Sequence, residues 1–193
     1  LDQQPRFPAG RTVREEARQA LAELTQMVRE AEQLAHAISL SEDAAERRRL
    51  GERYDRLHHA LLQRDGYHQD HKIERVLAGL GFGPDTLSQP VEQLSGGQQN
   101  RLLMAKLLLE EPELMLLDEP SNHLDMDATQ WLEDFIVHSS CALIVVSHDR
   151  FFLDKVTQRT LELYRGTVES YPGNFTAYRR QKAERLEVQR RTY

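Results

Sequence analysis

Two stretches decide the fold of this chain: Leu94-Ser95-Gly96-Gly97-Gln98-Gln99 and, a short step later, Leu114-Met115-Leu116-Leu117-Asp118-Glu119. The first reads as a tight turn opening a helix. A helix N-terminus leaves backbone N–H groups unpaired and carries the positive end of the helix dipole, so it suits a phosphate. Ser95 adds a hydroxyl donor, and Gly96 and Gly97 let the backbone before Gln98 approach a ligand closely. The second stretch reads as an apolar strand suited to the middle of a parallel sheet, ending in two acids. Open α/β sheets bind ligands at the carboxyl ends of their strands. A carboxylate at Asp118 can hold Mg²⁺, and Glu119 beside it can polarise an attacking water. Both acids are expected to be buried, where they would repel each other unless an ion or ligand lay between them. An isolated Ser-Gly-Gly is usually only a turn. The full string with the strand and its acids behind it is far more specific.

Outward from this pair, Ala142 to Val146 reads as a second buried strand, followed by Ser147-His148-Asp149-Arg150. A His at a strand's carboxyl end can reach a terminal phosphate by hydrogen bond. Alone such a His is more often structural; beside Asp118 and Glu119 it becomes a site residue. The other seven histidines show no metal-ligand spacing and read as surface residues. Between the strands, Ser121-Asn122-His123-Leu124-Asp125 leads into a helix from Asp125 to His138. Gln98 to Glu110 is helical and apolar almost all round, so it is expected to be buried, and Glu111-Pro112 stops it. Strand and helix alternate through the second half, which implies an α/β sheet. Thr160 to Tyr164 and Thr167 to Tyr171 flank Arg165-Gly166 as a hairpin. From Asn174 onward the chain is a polar, basic helix.

The first half reads differently. Leu1 to Pro8 is a strand end and a Pro-containing turn. Thr12 with Glu15 three residues on makes a capping box. Leu21, Leu24, Val28, Ala31, Ala35 and Ile38 then recur at spacings of three and four, the seam of a coiled coil. Ser39 to Asp43 interrupts it with cap and turn residues, and a second seam runs through Leu50, Tyr54, Leu57 and Leu61. Two such helices on a short loop make an antiparallel αα-hairpin. Their apolar stripe is narrow and their flanks are dense in Arg and Glu, which favours a projecting arm over ordinary bundle helices. A third helix, about Ile73 to Leu80, ends at Gly81.

With 193 residues the chain suits one domain carrying an inserted element. Its net charge of −6 argues against generic nucleic-acid binding by the whole chain. The segment from Gly173 is nevertheless basic, with Arg179, Arg180, Lys182, Arg185, Arg190 and Arg191 against Glu184 and Glu187. Cys141 is the one cysteine, so no internal disulfide forms, which fits a reducing cytoplasm. The apolar runs are too short to span a bilayer, so no membrane partner is expected. A phosphate-cradling Gly-x-x-x-x-Gly-Lys-Ser/Thr loop should precede the Ser-Gly-Gly turn, and none of the glycines begins one. The chain opens on Leu1, and it reads as an internal piece of a longer protein.

Taken together these motifs resemble an ABC ATPase domain of the ABC-F class, soluble paired ATPase domains that act on ribosomes. The resemblance covers essentially the full length. It implies a partial P-loop NTPase-like α/β fold with an inserted α-helical hairpin. Residues 1–10 would end the first core segment, 11–72 form the arm, 73–172 the ATPase part, and 173–193 begin a basic interdomain linker helix. On this resemblance Gln3 corresponds to the Q-loop glutamine, a ligand with Asp118 for Mg²⁺. Leu94 to Gln99 corresponds to the signature, with Ser95, Gly96, Gly97 and Gln98 facing an ATP held by a second ABC domain of the same parent chain. Leu114 to Asp118 is the Walker B strand, Glu119 the catalytic base, Asn122 and Asp125 the D-loop, and His148 the switch histidine. Asn100-Arg101, Ser147 to Asp154 and Gly173-Asn174-Phe175 are typical of the class.

The resemblance thus implies ATP and Mg²⁺ as cofactors, ATP hydrolysis in the intact parent, and ribosome or rRNA as partner in the cytoplasm. Two alternatives remain open at this point: the ATPase subunit of a membrane transporter, and a non-catalytic RNA-binding scaffold. Without a phosphate loop, residues 1–193 alone are expected to be inactive, and their strands partly uncovered.

Overall fold

The computed structural model describes residues 7–192, with side chains to Val188. Two compact units follow each other, one ending at Glu111 and the other beginning at Pro112.

In the first unit, Thr12 caps helix α1 (Val13–Arg18) through the expected capping box with Glu15. A single 3₁₀ turn at Gln19–Leu21 leads into α2 (Ala22–Leu40), which returns as α3 (Ala44–Gln63). Asp43 caps α3 by accepting from the Ala45 amide at 2.9 Å, and Arg47 closes the turn on the Ser41 carbonyl at 2.7 Å. The αα-hairpin is therefore present. Its seam differs in one position: Leu24, Ala31 and Leu34 are the buried residues of α2, whereas Ala35 is exposed. A strict alternation of three and four drifts from the 3.6-residue period, and the larger Leu34 takes the inward place. Leu24 and Leu61 meet at the base, both within reach of a Cβ built on Gly66. Along the flank Arg53 pairs with Glu30 and Arg64 with Glu23.

Helix α4 (Gln69–Gly79) starts four residues earlier than the periodicity predicts, and ends as expected before Gly81 at φ 81°. Thr25 pins its start by donating to Gln69 Oε1 at 2.8 Å. Two short 3₁₀ turns precede α5 (Gly96–Glu110), whose Leu102, Ala105, Leu108 and Leu109 are buried with Val13, Ala17, Ile73, Val76, Leu77 and Leu80.

Two charged residues share this apolar core. Glu16 is 2% exposed and is held by Arg11 Nη1 at 3.0 Å and by the Lys106 ammonium. Lys72 is 4% exposed and pairs with Glu111 Oε1 at 2.8 Å. A buried cation that loses its partner keeps its desolvation cost. Glu111→Ala is therefore expected to lower stability by about 3 kcal/mol. Lys72→Met combined with Glu111→Ala should recover most of that loss in urea unfolding, and a double variant as unstable as the single one would remove the ion pair as the cause.

The second unit pairs strand β1 (Leu114–Asp118) in parallel with β2 (Ala142–Val146), Leu114 opposite Ala142 and Asp118 opposite Val146. Between them runs α6 (Met126–His138), capped by Asp125. Met115 and Leu117 face inward with Ala128, Leu132 and Ile136, while Leu116 and Val146 are 64% and 60% exposed. The strands are partly uncovered, and β2 departs from the buried strand its apolar run predicts: none of its residues is buried, because Ala142, Ile144 and Val146 lie on the uncovered face and Leu143 and Val145 are only half-covered. Helix α7 (Arg150–Val156) follows, anchored by the fully buried Phe152. Strands β3 (Arg159–Tyr164) and β4 (Thr167–Pro172) form the expected hairpin. Arg165 and Gly166 turn it at φ 49° and 79°, the positive-φ pair of a tight hairpin turn. Helix α8 (Phe175–Thr192) ends the described residues.

Candidate functional site

Each unit carries one group of candidate residues. In the first unit, Ser95 is the N-cap of α5. Its Oγ accepts from the Gln98 amide at 3.3 Å, and the Gln98 side-chain oxygen accepts from the Ser95 amide at 2.9 Å. This reciprocal capping box uses Ser95 Oγ as an acceptor and leaves its O–H proton for an outside group. Gly96 begins the helix, and a Cβ built there would meet nothing within 4 Å. The backbone at the start of α5 is therefore uncrowded around Gly96, and a helix N-terminus of this kind suits an anion. Gln98 is engaged in the cap. Ser95→Ala should cost about 1 kcal/mol of stability through the lost cap.

In the second unit the carboxyl ends of β1 and β2 lie side by side. Glu119 extends the ladder by donating its amide to the Val146 carbonyl at 2.8 Å. It then turns the chain at φ 47°, a left-handed conformation that non-glycine residues seldom adopt. This turn directs the carboxylate across to the segment after β2. Ser147 Oγ and the His148 amide donate to Glu119 Oε2 at 3.3 and 3.2 Å, and His148 Nε2 lies 3.6 Å from Oε1. The Glu119 side chain is 23% exposed and the His148 side chain fully so. Glu119 is therefore fixed by one amide and one hydroxyl, with lone pairs left to accept a proton. The His148 ring, exposed beside Glu119, is accessible to a ligand.

Asp118 departs from expectation. It is exposed rather than buried, because side chains alternate along a strand and Asp118 shares the uncovered face with Leu114 and Leu116. No buried pair of acids has to be neutralised. Asn122 donates its amide to the Glu119 carbonyl at 3.1 Å, and His123 at φ 68° lets the chain reach Asp125. Asp125 accepts from the Ala128 amide at 2.8 Å as the cap of α6. Gln3 lies outside the described residues.

No group of three or more His, Cys, Asp or Glu side chains among the described residues is placed to hold a metal ion. Mg²⁺ usually takes one or two protein carboxylates and completes its shell with water and phosphate oxygens. An exposed Asp118 at the sheet's ligand-binding edge fits that donor set.

Two contributors escaped the sequence reading. Ser147 holds both Glu119 and the Asp149 amide, the latter at 3.1 Å. Asp149 caps α7 by accepting from Phe151 and Phe152 at 3.0 and 3.1 Å. A Ser-x-Asp directly after a strand is the signal that could have found them.

A Ser-capped, glycine-led helix start in one unit and a carboxylate–imidazole pair at strand ends in the other are the features to set beside known proteins. A family model described as ABC transporter matches residues 4–122, and a second model of the same description matches 161–193. The chain belongs to the ABC transporter family of ATP-binding cassette proteins, and within it to the ABC-F class. It is 36% identical over 99% of its length to the energy-dependent translational throttle protein EttA of Mycobacterium tuberculosis, covering 33% of that protein. It is 35% identical over 98% of its length to ABC transporter F family member 5 of Arabidopsis thaliana, covering 28% of it. The chain thus spans about a third or less of these relatives. A solved ATP-binding subunit of an ABC transporter shares the fold, with TM-score 0.58 and 18% identity over 96% of this chain and 65% of the other. Among the described residues no helix is long and apolar enough to cross a membrane.

Proposed function

We propose that this chain is the signature and Walker B portion of the first ATPase domain of an ABC-F protein that hydrolyses ATP and acts on the ribosome during translation in the cytoplasm. The observation that carries this reading is the Glu119 carboxylate, held by the His148 amide and the Ser147 hydroxyl at the carboxyl ends of two parallel strands. Glu119 takes the proton of the attacking water as general base. His148, exposed next to it, hydrogen-bonds the terminal phosphate. Asp118, with Gln3, would hold Mg²⁺, which would offset the negative charge of the phosphates. Asn122 and Asp125 shape the loop beside them.

Ser95 and the N–H groups at Gly96 and Gly97 serve the nucleotide of the second ABC domain of the same parent chain, with Gln98 holding Ser95 in the cap. Support for translation comes from the relatives, one of which is named a translational throttle protein. The basic helix α8, rich in Arg179, Arg180 and Arg185, suits contact with rRNA.

The experiment is ATP turnover by the purified parent protein with and without ribosomes. Stimulation by ribosomes, together with co-sedimentation that weakens as salt rises, is the expected result. Turnover indifferent to ribosomes would overturn the ribosomal part. Ser95→Asp tests the signature. Asp caps a helix as well as Ser does, but places a negative charge where the phosphate would lie. Stability should be kept and ATP turnover lost. Normal turnover in that variant would remove Ser95 from the nucleotide site.

A further inference from the structure

Asp154 ends the Ser147-to-Asp154 string, yet it lies at the far end of α7 from Glu119 and has no part in the chemistry above. Its contacts reach forward twenty residues. The Thr176 amide donates to its Oδ1 at 2.7 Å, and the Thr176 hydroxyl donates to its Oδ2. The Asn174 side-chain amide donates to the Asp154 carbonyl at 3.2 Å, and Asn174 Oδ1 accepts from the Ala177 amide at 3.1 Å. Asp154 therefore caps α8 from outside, while its own backbone is held by the residue before that helix. The Thr176 hydroxyl and amide hold the Asp154 carboxyl below its ordinary range. Arg150, at the start of α7, lies over the Phe175 ring at 5.9 Å.

At its other end α7 is capped by Asp149, next to His148, whose amide holds Glu119. Phe152, fully buried, fixes the middle. A seven-residue helix capped at one end, bound to α8 near the other and anchored by a buried Phe has few ways to shift one end without the other. Further along α8, the contacts are of a different kind: Lys182 with Glu162, Arg185 with Glu169 at 3.3 Å, and Gln181 with the Pro172 carbonyl at 2.8 Å, all to the β3–β4 hairpin and its end.

We propose that Asp154 is a positioning residue that makes the His148 loop, α7 and the first turn of α8 move as one piece, so that a phosphate engaging His148 is registered at the root of α8. The proposal rests on the ATPase reading above. It distinguishes the attachments of α8: Asp154 transmits the nucleotide state through Thr176, while the hairpin contacts, including the Tyr171 ring against Tyr178 in the first turn, hold the helix whatever that state is.

The test uses the parent protein carrying Glu119→Gln, so that ATP stays bound, and reads amide hydrogen exchange at residues 175–178 with and without Mg-ATP. ATP affinity is measured in parallel by titration with a fluorescent ATP analogue. With Asp154 intact, ATP should change exchange in this first turn. Adding Asp154→Ala should speed exchange at Thr176 and Ala177 by about twofold to thirtyfold without nucleotide, the range for a lost cap. It should also abolish the ATP response while leaving affinity within about twofold. Asp154→Asn keeps an acceptor for the Thr176 amide and should retain the response, which a purely electrostatic role would not allow. Thr176→Val, which leaves Asp154 in place, should weaken the response and guards against a folding defect in Asp154→Ala. An undiminished response in Asp154→Ala with ATP still bound overturns the coupling alone. Absence of ATP binding in the Glu119→Gln protein itself overturns the ATPase reading, and the coupling with it.

Discussion

Glu119→Gln in the parent protein is expected to leave ATP binding in place and to slow hydrolysis by about a hundredfold to ten-thousandfold, the usual contribution of a general base. The reason lies in how the side chain is held. Its Oε2 accepts from the Ser147 hydroxyl and the His148 amide, which orients the carboxylate without neutralising it. A glutamine carbonyl can accept the same two hydrogen bonds, so the local structure survives. The amide has no basic lone pair to take a proton from water. Single-turnover hydrolysis and nucleotide titration, measured on the same preparation, separate the two effects. Near-normal turnover would remove Glu119 from the role. A loss of binding equal to the loss of rate would instead make Glu119 a binding residue.

The second large effect concerns the arm. Leu34→Asp together with Leu57→Asp should melt α2 and α3 while sparing the rest of the chain. Leu34 is 7% exposed on the inner face of α2, and Leu57 is half-buried on α3. Each change removes apolar burial and puts a carboxylate where no cation waits, for about 3–5 kcal/mol per fully buried leucine. A two-helix hairpin has little else to hold it. Its flanking pairs, Arg53 with Glu30 and Arg64 with Glu23, are surface contacts of small value. Hydrogen exchange should show loss of protection across 22–63 with α5, β1 and β2 unchanged. Loss of protection everywhere would mean that the hairpin is part of a common core and not an arm.

Much of this was readable from residues alone. The Thr12–Glu15 capping box, the β2 strand from Ala142 to Val146, and the hairpin turn at Arg165-Gly166 are local devices, and a local device is written in a few adjacent residues. The same holds for Ser95 and Gln98, which close on each other within one turn of helix. The family motifs were legible for a related reason: their chemistry needs fixed residue types at fixed short spacings.

Other features depended on contacts between residues far apart in the chain. Ala35 reads as inward by spacing, but in the folded hairpin, with α2 packed along α3, Leu34 is the buried residue and Ala35 is exposed. Asp118 reads as buried from its apolar strand, but strand alternation places it on whichever face is uncovered, and only the packing of α6 tells which face that is. The left-handed turn at Glu119 and its hold on the His148 amide join residues 29 apart.

The sequence by itself therefore determined the class of fold and the helical hairpin, and it nominated the candidate site residues, because periodicity and short motifs are properties of neighbours. Only the tertiary structure decided how Glu119 is oriented, which acid faces solvent, that Glu16 and Lys72 are buried with partners, and that Asp154 grips the start of α8. Each of these turns on burial or on a hydrogen bond closed across many residues. Such a contact forms only when separate elements pack, and no pattern of adjacent residues records it.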